Sequence, residues 1–346
     1  MPDCNAFHNH VCVDVAGNYK PCCRYGKRSN YNVREHSFLE FRNSDFYRSL
    51  TENMQGDGWD SGCTKCQKEE QAGVRNSMRQ NLNNELQGAG GKIQFLELSV
   101  SNQCNITCRM CSPQFSSKWA EIKNVSVDKQ DLKQIIGSVD LSELKRIKYL
   151  GGEPFITTEF SQLIDILEQQ GVIENITIQV NTNATFFPSK YINKLKKLKM
   201  LHLVLSIDGI GEVDEYVRQG TDWKEKEQVI DQWIQVSKQN DNVRIMAHSV
   251  IQAYNIHDTH NIKEYVEQRD IFWIPAVLSY PPYLSLNALP SAYIEQVKNE
   301  SNEKFLEQAV HDPELNRQLI EQTKSMDKTF NKHLSQVDKI LKHSII

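Results

Sequence analysis

The positions of the cysteines constrain this chain more than any other feature of its 346 residues. The nine cysteines form local groups in the first third of the sequence, at Cys4, Cys12, Cys22 and Cys23, at Cys63 and Cys66, and at Cys104, Cys108 and Cys111. An odd number in tight groups, behind an N-terminus without a secretory pattern, argues against a disulfide framework. We therefore expect metal ligation in a reducing compartment, and we expect a cytoplasmic protein.

Composition narrows the class of protein. Hydrophobic residues make up 39% and charged residues 24% of the chain, as in ordinary globular proteins. There is no run of eighteen apolar residues, so we expect no membrane partner. A formal net charge of −4 weighs against a broad nucleic-acid surface.

The last cysteine group has the spacing of an iron–sulfur site. In Cys104-Asn-Ile-Thr-Cys108-Arg-Met-Cys111, three thiolates follow directly on a predicted strand. Three thiolates can bind three irons of a [4Fe–4S] cubane and leave the fourth iron open to another ligand. Structural zinc sites usually pair C-x-x-C motifs instead, although the triplet alone leaves zinc open.

Residues 92–283 alternate between short apolar runs and amphipathic stretches. The alternation predicts strands at Ile93–Val100, Ile147–Leu150, Ile176–Val180, Leu201–Ile207, Val243–Ile251 and Phe272–Leu278, with helices at Phe160–Gln169, Tyr191–Leu198, Trp223–Lys238 and Asp258–Gln268. Such alternation favours parallel strands joined by crossover helices. We predict the α/β class and a partial (β/α)6 barrel, with a doubly wound sheet as the alternative.

Two further segments flank this predicted domain. Residues 1–88 form the predicted N-terminal domain, with a hairpin starting at His10–Val15 and a helix over Glu35–Leu50. The Gly-rich stretch Gln87–Gly91 is the predicted boundary. Residues 284–346 are charged and are predicted to form a helical C-terminal extension.

A second motif identifies a family resemblance. Gly151-Gly152-Glu153-Pro154 follows the second predicted strand, one βα unit after the cysteine triplet. Together the two motifs resemble the radical S-adenosylmethionine (SAM) superfamily over roughly Ile93–Tyr280. The resemblance implies an enzyme with a [4Fe–4S] cluster on Cys104, Cys108 and Cys111 and with SAM chelated to its open iron.

The same resemblance implies a set of SAM-binding residues. They are Gly151, Gly152 and Glu153 at the amino group with Pro154 next to them, Asn183, Ser206 and Asp208 near the ribose and carboxylate, and Arg218 at the carboxylate. A guanidinium–carboxylate contact is charge-assisted and suits that last role. Met110 departs from the family, in which an aromatic residue often precedes the third cysteine.

The N-terminal cysteines resemble the auxiliary-cluster region of twitch/SPASM radical SAM proteins, here ahead of the barrel. The likeness rests on Cys63-Thr-Lys-Cys66 with Glu69, and on Pro21-Cys22 after a glycine turn. It implies an auxiliary [4Fe–4S] cluster on Cys4, Cys22, Cys63 and Cys66, with structural zinc as the rival. Cys12 is expected to be a buried structural thiol and Cys23 to point away.

The implied reaction is reductive cleavage of SAM to a 5′-deoxyadenosyl radical, which abstracts hydrogen from a substrate. Modification of a peptide or protein side chain is the favoured outcome. The alternatives are oxidation or rearrangement of a small molecule such as a sugar or nucleoside, RNA modification (which the acidity disfavours), and a non-catalytic iron–sulfur or zinc scaffold. The resemblance also implies an external electron donor such as flavodoxin or ferredoxin.

Overall fold

The computed structural model describes residues 3–55, 58–86 and 91–344. It has the predicted α/β class, with a largely parallel arrangement of strands. The chain divides into a first unit of residues 1–103, 113–180 and 188–202, and a second unit of residues 104–112, 181–187 and 203–346. Of the predicted boundary, residues 87–90 lie outside the described residues, and the three-domain division stays a prediction.

The strands in chain order are β1 His10–Val13, β2 Tyr19–Lys20, β3 Phe95–Ser99, β4 Thr107–Cys108, β5 Arg146–Leu150, β6 Thr177–Thr182, β7 Met200–Ser206, β8 Arg218–Gln219, β9 Val243–Ile251 and β10 Phe272–Val277. Each of the six predicted strands coincides with one of them, as β3, β5, β6, β7, β9 and β10.

The helices are α1 Ala6–Asn9, α2 Phe38–Arg42, α3 Asp45–Gln55, α4 Thr64–Gln71, α5 Met78–Glu85, α6 Ser117–Lys123, α7 Leu132–Gly137, α8 Thr158–Gln169, α9 Ile192–Leu195, α10 Glu212–Val217, α11 Trp223–Gln239, α12 Thr259–Glu267, α13 Ser291–Val297, α14 Glu303–Leu306, α15 Pro313–Phe330 and α16 Ser335–His343. The helical character predicted for the C-terminal extension is confirmed by α13 to α16. Among the described residues, no helix has both the length and the apolarity needed to cross a membrane.

In the first unit the strand order is β6-β5-β3-β1-β2. The predicted hairpin is present, because β1 and β2 pair antiparallel. In addition, β1 pairs parallel with β3, which the sequence did not predict. All four residues of β1 are buried, so the strand lacks the alternation that marks an exposed hairpin.

The single helix predicted over Glu35–Leu50 is wrong, since two helices occupy this stretch. Ser37 and Glu40 form a capping box that starts α2. The hydroxyl of Ser44 then accepts a hydrogen bond from the amide of Tyr47 at 3.2 Å, in the first turn of α3. Local hydrogen bonding by Ser44 therefore interrupts an apolar pattern that runs through both helices.

In the second unit β9 and β10 pair parallel, and β4 pairs antiparallel with β8. The long helix α11 buries Ile230, Trp233 and Val236, which recur every three residues along one helix face. The short pairing of β4 with β8 sets the register Cys108↔Arg218 and so brings a predicted cluster ligand beside a predicted SAM-binding residue.

Candidate metal and cofactor sites

The cysteine triplet lies on one loop of the second unit. The amide of Cys111 donates to the carbonyl of Cys108 at 2.9 Å and closes a tight turn between them. Burial raises the pKa of Cys108 to about 12 and that of Cys111 to about 11, while Arg218 opposes both shifts. Because ligation requires the thiolate, the positive charge of bound iron is what would offset this burial.

Asn183 lies next to the first cysteine of the triplet. Its side-chain nitrogen is 4.0 Å from Cys104 Sγ and donates to Asn105 Oδ1 at 2.9 Å. Its side-chain oxygen accepts from the Thr185 hydroxyl at 2.6 Å. This network fixes the amide, so the second unit brings one predicted SAM-binding residue into contact with a predicted cluster ligand.

Arg218 and Asp208 form a buried ion pair in the same unit. Arg218 Nη1 is 2.5 Å from Asp208 Oδ2, and the side chains are 10% and 1% exposed. Burial alone would lower the pKa of Arg218, but Cys108 and Asp208 together raise it above its ordinary value. Asp208 also accepts from the amide of Val250 at 2.7 Å. Within the described residues, Arg218 Nε has no hydrogen-bond acceptor, which leaves one donor for a ligand.

A second buried ion pair, which the sequence analysis missed, holds the end of β7. Lys226 Nζ is 2.6 Å from Asp214 Oδ2, with both side chains fully buried. The same ammonium donates to the carbonyl of Ser206 at 2.9 Å, and Asp214 accepts from the amide of Asp208 at 3.0 Å. Lys226 lies in the charged run Trp223-Lys-Glu-Lys-Glu of α11, which resembles a solvent-facing helix end and therefore gave no signal.

In the first unit, Gly151 and Gly152 have φ values of +94° and +52°. A Cβ on Gly151 would lie 2.6 Å from the carbonyl oxygen of Ser101, and one on Gly152 would lie 2.1 Å from that of Gln103. Only glycine fits here, both for its φ and for the lack of space. The loop therefore packs against the backbone that leads directly into Cys104.

The rest of that motif shapes the loop from within. The Glu153 carboxylate accepts from the amide of Phe155 at 3.2 Å, and its own amide donates to the carbonyl of Gln103 at 2.8 Å. Pro154 begins the short 3-10 helix that follows. In this arrangement Glu153 stabilises the loop backbone, and its predicted contact with the SAM amino group stays a prediction.

The four cysteines predicted to hold the auxiliary cluster line a single small pocket in the first unit. They are Cys4, Cys22, Cys63 and Cys66. Burial raises the pKa of Cys4 and that of Cys22 to about 12. The charge of a neighbouring cysteine, Cys66, raises both pKa values further. Sequence positions far apart are thus brought together with a donor set that fits a cubane.

Two arginines lie at the same cavity. Arg24 Nη1 is 2.5 Å from Glu69 Oε1, and Arg79 Nη2 is 2.6 Å from Glu70 Oε2. Both guanidinium groups line the cavity beside the four cysteines. Each guanidinium is matched by a carboxylate, so these two ion pairs add no net charge beside the four cysteines.

Cys12 and Cys23 lie beside Glu97 and are not among the residues that line this cavity. Glu97 Oε1 is 2.9 Å from Lys148 Nζ, and Glu97 Oε2 is 3.6 Å from His10 Nε2. Cys12 is 5% exposed and faces Glu97 in the β1–β3 register, as expected of a buried thiol.

Over residues 3–55, 58–86 and 91–344, no group of three or more His, Cys, Asp or Glu side chains is arranged to hold one metal ion. A cubane is held differently, because each thiolate binds a separate iron. The triplet loop and the four-cysteine cavity both present the thiol donors that such clusters use.

Comparison with known proteins gives a family match inside the chain. Residues 98–251 match a family model described as "Radical SAM superfamily". Among curated proteins, the GTP 3′,8-cyclase of Aliarcobacter butzleri is 26% identical over 127 residues, 37% of this chain and 38% of that protein. The GTP 3′,8-cyclase of Clostridium botulinum strain Hall is 28% identical over 123 residues, 36% of this chain and 37% of that protein. The matched region thus spans less than two fifths of these curated relatives.

Solved structures show weaker likeness. His-tagged anSMEcpe with bound AdoMet is 19% identical, with 56% of each chain covered and a TM-score of 0.43. Streptococcus suis SuiB bound to S-adenosylmethionine is 13% identical, with 94% of this chain and 69% of that chain covered and a TM-score of 0.38.

Proposed function

We propose that this chain, whose residues 98–251 match the radical SAM superfamily, is a radical SAM enzyme that cleaves S-adenosylmethionine reductively and abstracts a hydrogen atom from a bound substrate. The observation that carries the proposal is the position of Cys104, Cys108 and Cys111. All three lie in the matched region, and Cys108 pairs with Arg218 in the β4–β8 register. A [4Fe–4S] cluster on that loop would supply one electron to the sulfonium, with methionine and a 5′-deoxyadenosyl radical as products.

The residues of the second unit have distinct parts in this proposal. Cys104, Cys108 and Cys111 are the cluster ligands, and Asn183 orients the region beside Cys104. Arg218 keeps Asp208 neutralised and has its Nε donor left for an acceptor such as the SAM carboxylate. Ser206 lies at the strand end that Lys226 holds in place.

In the first unit, Gly151 and Gly152 pack closely against the carbonyls of Ser101 and Gln103, next to the segment that enters the cysteine loop. We assign the SAM amino group to this loop, because its Gly-Gly-Glu-Pro sequence resembles the motif that lines this group in the radical SAM superfamily. Pro154 and the cap formed by Glu153 keep the loop in that conformation.

We further propose an auxiliary [4Fe–4S] cluster in the four-cysteine cavity and a peptide or protein side chain as substrate. Support for the cluster comes from the convergence of Cys4, Cys22, Cys63 and Cys66. Support for the substrate class comes from the twitch/SPASM resemblance of that region. A nucleotide or other small molecule is the second candidate, favoured by curated relatives that are named GTP 3′,8-cyclase.

The test is anaerobic incubation of reconstituted, dithionite-reduced protein with SAM. We expect 5′-deoxyadenosine from the parent chain and from the matched control Cys12→Ala, but none from the triple variant of Cys104, Cys108 and Cys111 to alanine. Equal product in the triple variant would contradict the proposal. Deuterium entering 5′-deoxyadenosine from deuterated peptides supports a peptide substrate, and entry from deuterated nucleotides alone supports the second candidate.

A further inference from the structure

Arg109, inside the cysteine triplet, carries a buried positive charge. It is 1% exposed and lies one residue after Cys108. Its Nε donates to the carbonyl of Tyr216 at 2.8 Å, and its Nη2 is 2.7 Å from Asp327 Oδ1. A buried guanidinium is unfavourable unless it is paired, and Asp327 is the carboxylate that pairs with it.

Tyr216 contacts both members of this ion pair, Arg109 and Asp327. The Arg109 guanidinium carbon is 3.6 Å from the centroid of the Tyr216 ring, and the Tyr216 hydroxyl donates to Asp327 Oδ1 at 2.8 Å. The carboxylate therefore receives one contact from the cluster loop and one from α10. Both depend on where Asp327 is held.

Asp327 lies near the end of α15, and other contacts fix this helix in the second unit. Leu319 and Met326 are buried, and the Thr323 hydroxyl is 2.7 Å from the Tyr254 hydroxyl. The side-chain amide of Asn316 donates to the carbonyl of Ala288 at 2.8 Å. The helix thus presents the carboxylate from an anchored position.

We propose that Asp327 is a positioning residue for the cluster loop, acting through Arg109. This inference rests on the proposed function, in which Cys108 and Cys111 are cluster ligands. Arg109 lies within the turn that the Cys111 amide closes onto the Cys108 carbonyl. When Asp327 holds Arg109, it holds this turn. Without that carboxylate, Arg109 must move toward water, and the spacing of the two thiols changes with it.

Hydrogen exchange in the metal-free protein tests this directly. In Asp327→Asn we expect amides of residues 109–111 to exchange at least tenfold faster, with α15 itself unchanged. The matched control is Lys332→Ala, which removes another C-terminal ion pair, Lys332 Nζ to Glu215 Oε2 at 3.0 Å, and leaves Arg109 untouched. Equal exchange of residues 109–111 in the two variants and the parent would overturn the inference.

EPR spectroscopy of the reconstituted protein complements the hydrogen-exchange measurement. We expect the EPR spectrum of the reduced cluster, with SAM present, to shift in Asp327→Asn, to return toward the parent in Asp327→Glu, and to stay unchanged in Lys332→Ala. If Asp327→Asn does not fold, Asp327→Glu is compared with Lys332→Ala: altered exchange or EPR supports the role, and parental behaviour in both measurements overturns it.

The two proposals fail in different ways. If the parent makes no 5′-deoxyadenosine, the proposed function fails, while loop exchange still reports whether Asp327 holds Arg109. If the parent makes it and Asp327→Asn has parental exchange and EPR, only the positioning role fails.

Discussion

Replacement of Arg218 by glutamine should strongly destabilise the protein even without SAM. Arg218 is 2.5 Å from Asp208, and the partner carboxylate is 1% exposed. Removing one partner of a buried ion pair typically costs about 3–5 kcal/mol, because the remaining charge is left uncompensated. Asp208 keeps its bond from the Val250 amide, so we expect the lower end, about 3 kcal/mol.

The assay is urea unfolding of the metal-free protein, followed by circular dichroism and by tryptophan fluorescence. The free energy of unfolding should fall with little change in its dependence on urea, since the folded surface stays similar. Arg218→Lys keeps the charge and is the matched control. The double variant Arg218→Gln with Asp208→Asn should recover most of the loss, because neither side chain of this pair then carries a charge.

A loss below about 1 kcal/mol, the range of exposed ion pairs, would refute this reasoning. So would a double variant as unstable as Arg218→Gln alone. SAM affinity is a separate readout: loss of a charge-assisted contact of about 1.5–3 kcal/mol predicts roughly ten- to a hundred-fold weaker binding. Unchanged affinity in Arg218→Gln would place this residue outside the SAM site.

Two further predictions concern the first unit. The parent should bind about eight irons per chain if both sites hold cubanes, and Cys22→Ala should lower the iron content to about four while Cys12→Ala leaves it unchanged. If the triple alanine variant of Cys104, Cys108 and Cys111 instead binds one zinc and no sulfide, the N-terminal site is structural zinc. Burial lowers the pKa of His10 from 6.5 to about 4, although Glu97 opposes the shift. The unfolded chain therefore binds the extra proton between these pH values, so stability is complete above pH 6.5 and falls as pH drops toward 4, by up to about 3 kcal/mol. His10→Phe should flatten unfolding curves measured across this window, and an unchanged pH dependence would contradict the assignment.

The cysteine spacing and the glycine motif could be interpreted without a structure because both are local. Cys104, Cys108 and Cys111 fall within one turn-forming segment, and only glycine suits the φ values of Gly151 and Gly152. The six predicted strands are also local patterns, and all are confirmed. Grouping Cys4 and Cys22 with Cys63 and Cys66 required the family resemblance, because nothing in their spacing indicates one cavity.

Only the tertiary structure decided which charges are buried and with which partners. Lys226 and Asp214 lie in segments that read as charged helix surface, yet both are fully buried and hold the end of β7. The link from Arg109 to Asp327 joins positions more than two hundred residues apart. β1 pairs with β3, although a hairpin alone was predicted. Propensity and periodicity report the backbone over a few residues, whereas burial of a charge depends on which distant side chains the fold brings within hydrogen-bond distance.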